Sequence, residues 1–303
     1  MGESYTSLTA KQSSRAGPRF DPSSFYEDEP AEVPEISRTI LEKYSHVPSD
    51  SVVKHVVDVR NSAWSKAPYP CMGLYSFLDI PIAKHPLYTS TILPLLKSDR
   101  TARFLDLGCG LGQDSRKVLY DGVAAEQVYA SDLNQEFIDL GFQLFQDDQK
   151  LSTELEKTGS STKEHFTTAD VFDESPESPM RRWQGMFDVI NASALFHLFT
   201  EEQQKVIAKQ VVNLLKDKVG TLIIGWQLGF ADEQNQKRVW DAHNHFQHYP
   251  GSWKAMWEEI GTQTSTRWGV DVSVRELLKQ HPFWDRLRRN GTKVLAFSVR
   301  RVG

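Results

Sequence analysis

A chain of 303 residues with 39% hydrophobic and 25% charged positions has the make-up of a globular protein, one large domain with an appendage or two small ones. A net charge of -5 and a pI near 6.0 argue against a nucleic-acid-binding surface, and only two cysteines, Cys71 and Cys109, argue against a disulfide framework or a zinc site. No apolar run approaches a membrane span and the N-terminus lacks a signal-peptide core, so no stable membrane association and a cytoplasmic location are expected.

Residues 1–35 are rich in Ser, Pro, Glu and Asp without a sustained period, and read as a disordered or loosely attached arm. Met1-Gly2 to Thr6 fits the loose N-myristoylation template, which is short, often met by chance and has no polybasic cluster beside it. From Ile36 a helical period begins, with Ile40, Leu41 and Tyr44 on one face. After the breaker Val47-Pro48-Ser49-Asp50, a second helix turns Val52, Val53, Val56, Val57 and Val59 inward. β-Branched residues are poor helix formers, so that helix depends on packing. Trp64 to Leu87 mixes aromatics and prolines and reads as a structured loop, either a strap across the core or a lid over a pocket. With a short helix around Ser90 to Leu96, residues 36–100 make a helical N-terminal cap.

The stretch that organises the chain follows. Phe104, Leu105 and Leu107 read as a buried parallel strand, Gly108, Gly110 and Gly112 as a turn bare of side chains, and Gln113 to Leu119 as a helix. Such a unit sets backbone N–H groups beside any ligand at the strand end. Asp106 lies in the strand tip, where a carboxylate needs a donor. An ammonium group would serve, or the turn backbone. Val128 to Asp132 is a second strand, ending in an acid ~20 residues after the turn, where a carboxylate can accept from both ribose hydroxyls of an adenosine. Gln113 stands where a dinucleotide fingerprint has its third glycine. An adenosine with an amino-acid end and no pyrophosphate fits this pattern, and S-adenosylmethionine is such a molecule.

Strand and helix keep alternating. Asn134 caps a helix carrying Phe137, Ile138 and Leu144, and Asp147 to Lys163 reads as a polar surface insertion. Glu164 to Asp170 and Met186 to Asn191 are the third and fourth strands. Thr200 to Gln203 is a capping box opening a helix with Val206, Ile207, Val211, Leu214 and Leu215 inward. Thr221 to Gly225 is the fifth strand. An aromatic and His-rich helical insertion runs over about 229–265, and Val270 to Val274 and Lys293 to Arg300 close the chain as neighbouring strands. The expected fold is α/β and Rossmann-like, a mainly parallel seven-stranded sheet with helices on both faces.

Ligands of such sheets bind beyond the carboxyl ends of the strands, where Asp106, Asp132, Asp170 and Asn191 would converge. Donor and acceptor chemistry gives Asp132 the ribose with Leu133 on the ring, Asp170 the adenine amino group with Val171 beside it, and Asn191 with Ala192 the methionyl side. Trp64, Tyr69, His197, Trp226, Gln227 and His243 are candidates for the acceptor side. His197 follows the fourth strand as a base, a pocket residue or a structural histidine. The spacing of His243, His245 and His248 invites a metal reading that no Cys or carboxylate pattern supports, leaving pocket wall or surface helix. Arg60 and Trp64 either close the N-terminal side or form a structural pair.

The run Phe104 to Asn191 resembles class I S-adenosylmethionine-dependent methyltransferases. Tyr69-Pro-Cys-Met-Gly73, Phe104 to Asp114, Asn191-Ala-Ser-Ala-Leu-Phe-His-Leu198 and Ser252 to Gly261 look like fungal methyltransferases of the austinol and terretonin meroterpenoid type. The resemblance covers roughly Ile36 to the C-terminus. It implies a class I methyltransferase domain over 101–303, methyl-ester formation on a carboxylic acid of a prenylated aromatic polyketide, and homodimers. A carboxylic acid is already ionised at neutral pH and needs no base, whereas a phenol or amine would use one, His197 being the candidate. A non-catalytic adenosylmethionine-binding protein stays open as an alternative. Asp106 and Gln113 speak against a nicotinamide dehydrogenase.

Overall fold

The computed structural model describes residues 21–238 and 245–303. Seven strands form one sheet: β1 Phe104–Leu107, β2 Val128–Asp132, β3 Phe166–Thr168, β4 Val189–Asn191, β5 Leu222–Gly229, β6 Trp268–Arg275 and β7 Lys293–Arg301. Their order is β3-β2-β1-β4-β5-β7-β6, with β1 to β5 joined by parallel pairings and β7 antiparallel between β5 and β6. The chain winds outward from β1 in both directions, so the crevice for a ligand opens beyond β1, between β2 and β4. This is the Rossmann-like, mainly parallel sheet covered by helices that the alternating pattern predicts.

The helices are α1 Glu35–Lys43, α2 Val52–Lys66, α3 Leu93–Ser98, α4 Gln113–Tyr120, α5 Gln135–Phe145, α6 Asp148–Glu156, α7 Glu201–Leu214, α8 Glu233–Arg238, α9 Pro250–Thr264 and α10 Pro282–Arg289. Alternation along each strand sorts the core into two layers. Phe104, Val128, Ala130, Val189 and Ile224 meet Ile40, Leu41, Val52, Val56 and Val118 on the face covered by α1, α2, α4 and α5. Leu105, Tyr129, Ile190, Ile223 and Phe297 meet Ile207, Val211, Trp253 and Trp257 of α7 and α9 on the other.

Residues 67–87 form a strap fastened along its length. Lys66 pairs with Glu136 at 3.1 Å and the Tyr69 ring lies 6.0 Å from Phe137, both at the start of α5 just past Asp132. The Ile82 N–H donates to Asp114 of α4 at 3.1 Å, and His85 Nε2 lies 3.1 Å from the Phe297 carbonyl oxygen in β7. Ser37 of α1 donates to the Leu78 carbonyl from above.

Three expectations need correction. Residues 21–35 are not a loose arm: Phe25 is buried against Leu74, Phe283 and Trp284, and Arg60 donates to the carbonyls of Glu27 and Asp28. The strand expected over Glu164 to Asp170 keeps only Phe166–Thr168, because Ser161 and Glu164 form a capping box that winds Thr162–His165 into a helical turn. The polar stretch from Asp147 is not wholly surface, since Asp147 is buried in an ion pair with Arg116 and α6 buries Leu151 and Leu155. The last two strands are neighbours as expected, with α10 in the segment that joins them, anchored by Phe283 and Trp284.

Candidate functional site

The β1–α4 turn sets the geometry. Gly110 and Gly112 adopt φ of 56° and 72°, a left-handed conformation that costs other residues about 1–2 kcal/mol. At Gly112 a Cβ would lie 2.4 Å from an Arg116 guanidinium nitrogen, so glycine is needed there for packing as well. A Cβ at Gly110 would meet nothing within 4 Å, so the turn opens onto free space at that residue.

Asp132 borders this opening at the tip of β2. Its Oδ2 accepts from Gly110 N and its Oδ1 from Asn134 N, each at 2.9 Å. Burial raises its pKa above the ordinary carboxylate value, against the pull of those bonds. Each oxygen keeps a lone pair for a further donor. Leu133 beside it is 59% exposed, and Tyr69 on the strap is 54% exposed. Cys71 is exposed, yet the protein around it pushes its thiol up to about 11, with the Asp132 charge adding to the effect. Solvent access combined with desolvation is what the wall of a recess experiences.

Asp106 and Asn191 are bonded to each other and to the start of α4. Asp106 Oδ2 accepts from Ser115 N at 3.2 Å and Ser115 Oγ at 2.9 Å, and Oδ1 from Asn191 Nδ2 at 2.9 Å. The same Asn191 amide nitrogen donates to Asp114 Oδ2 at 3.0 Å, while Asn191 Oδ1 accepts from Ser193 Oγ at 2.8 Å. All three side chains are at most 3% exposed. In this structure Asp106 holds the backbone and hydroxyl of Ser115 in the following helix, together with the Asn191 amide. The Asn191 amide nitrogen thus bridges the two acids. Burial lifts Asp106 to about 6 and, with the Asp106 charge beside it, lifts Asp114 well above the usual carboxylate range. The pair therefore holds a proton at mildly acidic pH.

The remaining candidates divide. Asp170 follows β3 and accepts from Phe172 N at 2.9 Å, with Val171 half-buried against the α7 side of the core. Gly108 lies within the turn, and a Cβ there would touch Leu195 at 3.0 Å. Gln113 turns its side chain into the cap, lining a cavity of about 10 Å³ with Ser37, Leu41 and Leu78. Ala192 is fully buried and serves through its N–H, which donates to Ile224 O at 2.8 Å. Trp64 packs on Phe25 and Tyr26 and belongs to a satellite core, and Arg60 lies over the rings of Tyr26 and Tyr75, so both are structural.

Trp226 and Gln227 cannot both face an acceptor, because neighbours on a strand point to opposite faces. Trp226 shares the face of Ile224, toward the cap, with its ring centroid 6.3 Å from that of His197. Gln227 shares the face of Ile223, is 1% exposed and is closed off from the strap. His248 is buried too, with Nδ1 2.9 Å from Ser252 Oγ and burial holding its pKa down to about 3. His243 lies outside the described residues.

Two features escape sequence reading. Asp114 looks like an ordinary first-turn acid of α4, although Gln113-Asp114-Ser115 directly after the glycine turn was available as a signal. Ala194, just past β4, has φ of 56° and donates to Trp226 O at 2.7 Å. A non-glycine residue held in that conformation at a strand tip marks a place over-determined by its surroundings.

Comparison with known proteins adds the following. A family model described as the N-terminal domain of meroterpenoid methyltransferases matches residues 25–78. The O-methyltransferase phiE of a fungal species is 38% identical over 240 residues, 79% of this chain and 75% of that protein. The methyltransferase adrK of Penicillium roqueforti is 34% identical over 284 residues, 93% of this chain and 95% of that protein. The asnovolin E/chermesin D methyltransferase nvfJ of Aspergillus novofumigatus is 32% identical over 239 residues, 79% of this chain and 81% of that protein.

Proposed function

The chain belongs to the fungal meroterpenoid methyltransferases, and we propose that it moves the methyl group of S-adenosylmethionine to a carboxylate oxygen of a hydrophobic small molecule, forming a methyl ester. One observation carries the cofactor part: the Asp132 carboxylate, gripped by Gly110 N and Asn134 N beside the open side of the glycine turn. The residues fit the group. Asp132 has lone pairs for a ribose diol, Leu133 offers an exposed apolar surface to adenine, and Asp170 with Val171 stands at the next strand end for its amino edge. When bound, the sulfonium supplies an activated methyl carbon for direct displacement.

The chain's own work is positioning and exclusion of water. In this reading the strap lies over the strand ends, and Trp226 with His197 walls the space past the end of β4. The relative named for asnovolin E and chermesin D supports an acceptor of the meroterpenoid kind. A carboxylate acceptor is ionised at neutral pH, with a pKa near that of a side-chain acid, about 4. It asks no side chain to remove a proton, and the acids Asp106 and Asp114 are accordingly free to stay closed in their network. His197 then orients the acceptor. With a phenol it would be the base, and its replacement would abolish turnover.

The test is methyl-labelled cofactor with a panel of prenylated aromatic acids, their phenols and amines, on wild type and His197→Ala. Label released as methanol by mild alkali, with turnover largely kept in the variant, supports the ester. Alkali-stable label that disappears in the variant overturns it in favour of a phenol or amine.

A further inference from the structure

Asp106 is engaged by Ser115 and Asn191, and a second charged pair lies in the strap above the glycine turn. Asp79 Oδ2 and Lys279 Nζ lie 2.5 Å apart, and Lys279 also donates to Ser76 Oγ at 2.8 Å. Asp79 and Ser76 belong to the strap, while Lys279 comes from the segment between β6 and α10, 203 residues further on than Ser76. The strap's fastenings locate the pair. On one side Tyr69 is fixed against the start of α5 next to Asp132; on the other, Ile82 is fixed on Asp114 in the first turn of α4. These points flank the glycine turn. Asp79 is three residues before Ile82, which limits their separation to about 11 Å even with the chain fully extended. The charges report the same neighbourhood: that of Asp79 helps to raise Asp114, and that of Lys279 acts on the Cys71 thiol.

Both partners stay about one-third accessible, with side-chain exposures of 34% for Lys279 and 31% for Asp79. Each can take a further ion of opposite sign. An α-amino acid carries an ammonium and a carboxylate on one carbon, spaced to bridge such a pair as a four-charge array. We propose that Asp79 accepts from the α-ammonium of S-adenosylmethionine and that Lys279 pairs with its α-carboxylate. The assignment rests on the cofactor reading given above.

Calorimetric titration with two ligands tests it: S-adenosylhomocysteine, which carries the amino-acid end, and 5′-methylthioadenosine, which lacks it. Asp79→Asn and Lys279→Met should each weaken S-adenosylhomocysteine about tenfold or more, as expected for losing a charge-assisted bond, and leave methylthioadenosine unchanged. Lys279→Arg should restore most of the affinity. Retained methylthioadenosine binding also shows that the variants fold. Equal losses for both ligands would overturn the proposal, reducing the pair to a tie that holds the strap. Unchanged S-adenosylhomocysteine affinity with a raised KM for the acceptor would overturn it as well, giving Lys279 to the acceptor. A folded wild type that binds neither ligand would overturn the cofactor reading itself, and this assignment with it.

Discussion

Gly110 and Gly141 separate binding from folding at the level of one methyl group. A Cβ on Gly110 enters open space, whereas one on Gly141 of α5 would lie 2.4 Å from the Leu111 carbonyl oxygen. Gly110→Ala should therefore cost stability only about 1–2 kcal/mol for its positive φ and weaken S-adenosylhomocysteine severely. Gly141→Ala should lower the melting temperature more, and thermal unfolding beside calorimetry distinguishes the two. Asp132→Ala should lose at least tenfold in the same ligand's affinity, because hydrogen bonds to a charged group are worth about 1.5–3 kcal/mol each. The buried acids give a pH signature. Their folded-state pKa values lie above the ordinary 3.8, so the native state takes up protons more readily than the unfolded chain. For Asp106 the destabilisation is present above about pH 6 and is relieved as pH falls toward 4. Relative to Asp106→Asn, the wild type should gain melting temperature between pH 7 and pH 5. Asp132 is legible in the sequence because strand-end position and spacing define it. Asp114 is not, because its burial is made by Ile82 and Asn191, which are 32 and 77 residues away.

A buried ion pair ties helix α4 to the residue that precedes α6, and Tyr44 links it to the cap. Arg116 and Asp147 are each 1% exposed, bonded through two nitrogens at 3.0 and 3.1 Å, and Tyr44 at the end of α1 donates to the same carboxylate at 2.8 Å. The rings of Phe142, Phe145 and Phe166 surround the guanidinium. Arg116→Met leaves the Asp147 charge buried without its counter-ion and should cost about 3–5 kcal/mol in urea unfolding, whereas Arg116→Met combined with Asp147→Leu should recover much of it. Periodicity reveals neither residue, since a charge at a helix boundary is ordinarily solvated and only tertiary packing encloses this one. Strand β3 shows the opposite situation. Ser161-Thr162-Lys163-Glu164 carries a visible capping signature, but the alternation that follows it reads through as strand. The capped turn prevails because it swings His165 inward to the Val128 carbonyl at 2.9 Å and onto the Tyr129 ring, with centroids 4.0 Å apart.

Cap and sheet are one cooperative body. Val33, Ile40, Val52 and Val56 share a continuous apolar cluster with Phe104, Val128 and Ile224, so neither side closes its core alone. We expect a single unfolding transition by near- and far-ultraviolet circular dichroism, and a fragment beginning at Thr101 that stays unfolded. The order of parallel strands is readable from sequence because each strand–helix unit is local. How the cap sits on them is not, because irregular backbone between Ala67 and Leu87 is positioned by partners scattered over the chain.

Those partners also fix when the site can come into being. His85 meets a carbonyl 212 residues later, and Ser76 meets Lys279 203 residues later. On the ribosome the glycine turn and Asp132 emerge long before the residues that secure what lies above them, and contacts of such separation form slowly. A nascent chain arrested before Lys279 should carry the nucleoside cradle without its roof. Competence to hold the methyl donor is thus among the last properties this polypeptide acquires, and stalled or C-terminally clipped chains should be inactive while much of their sheet is already in place.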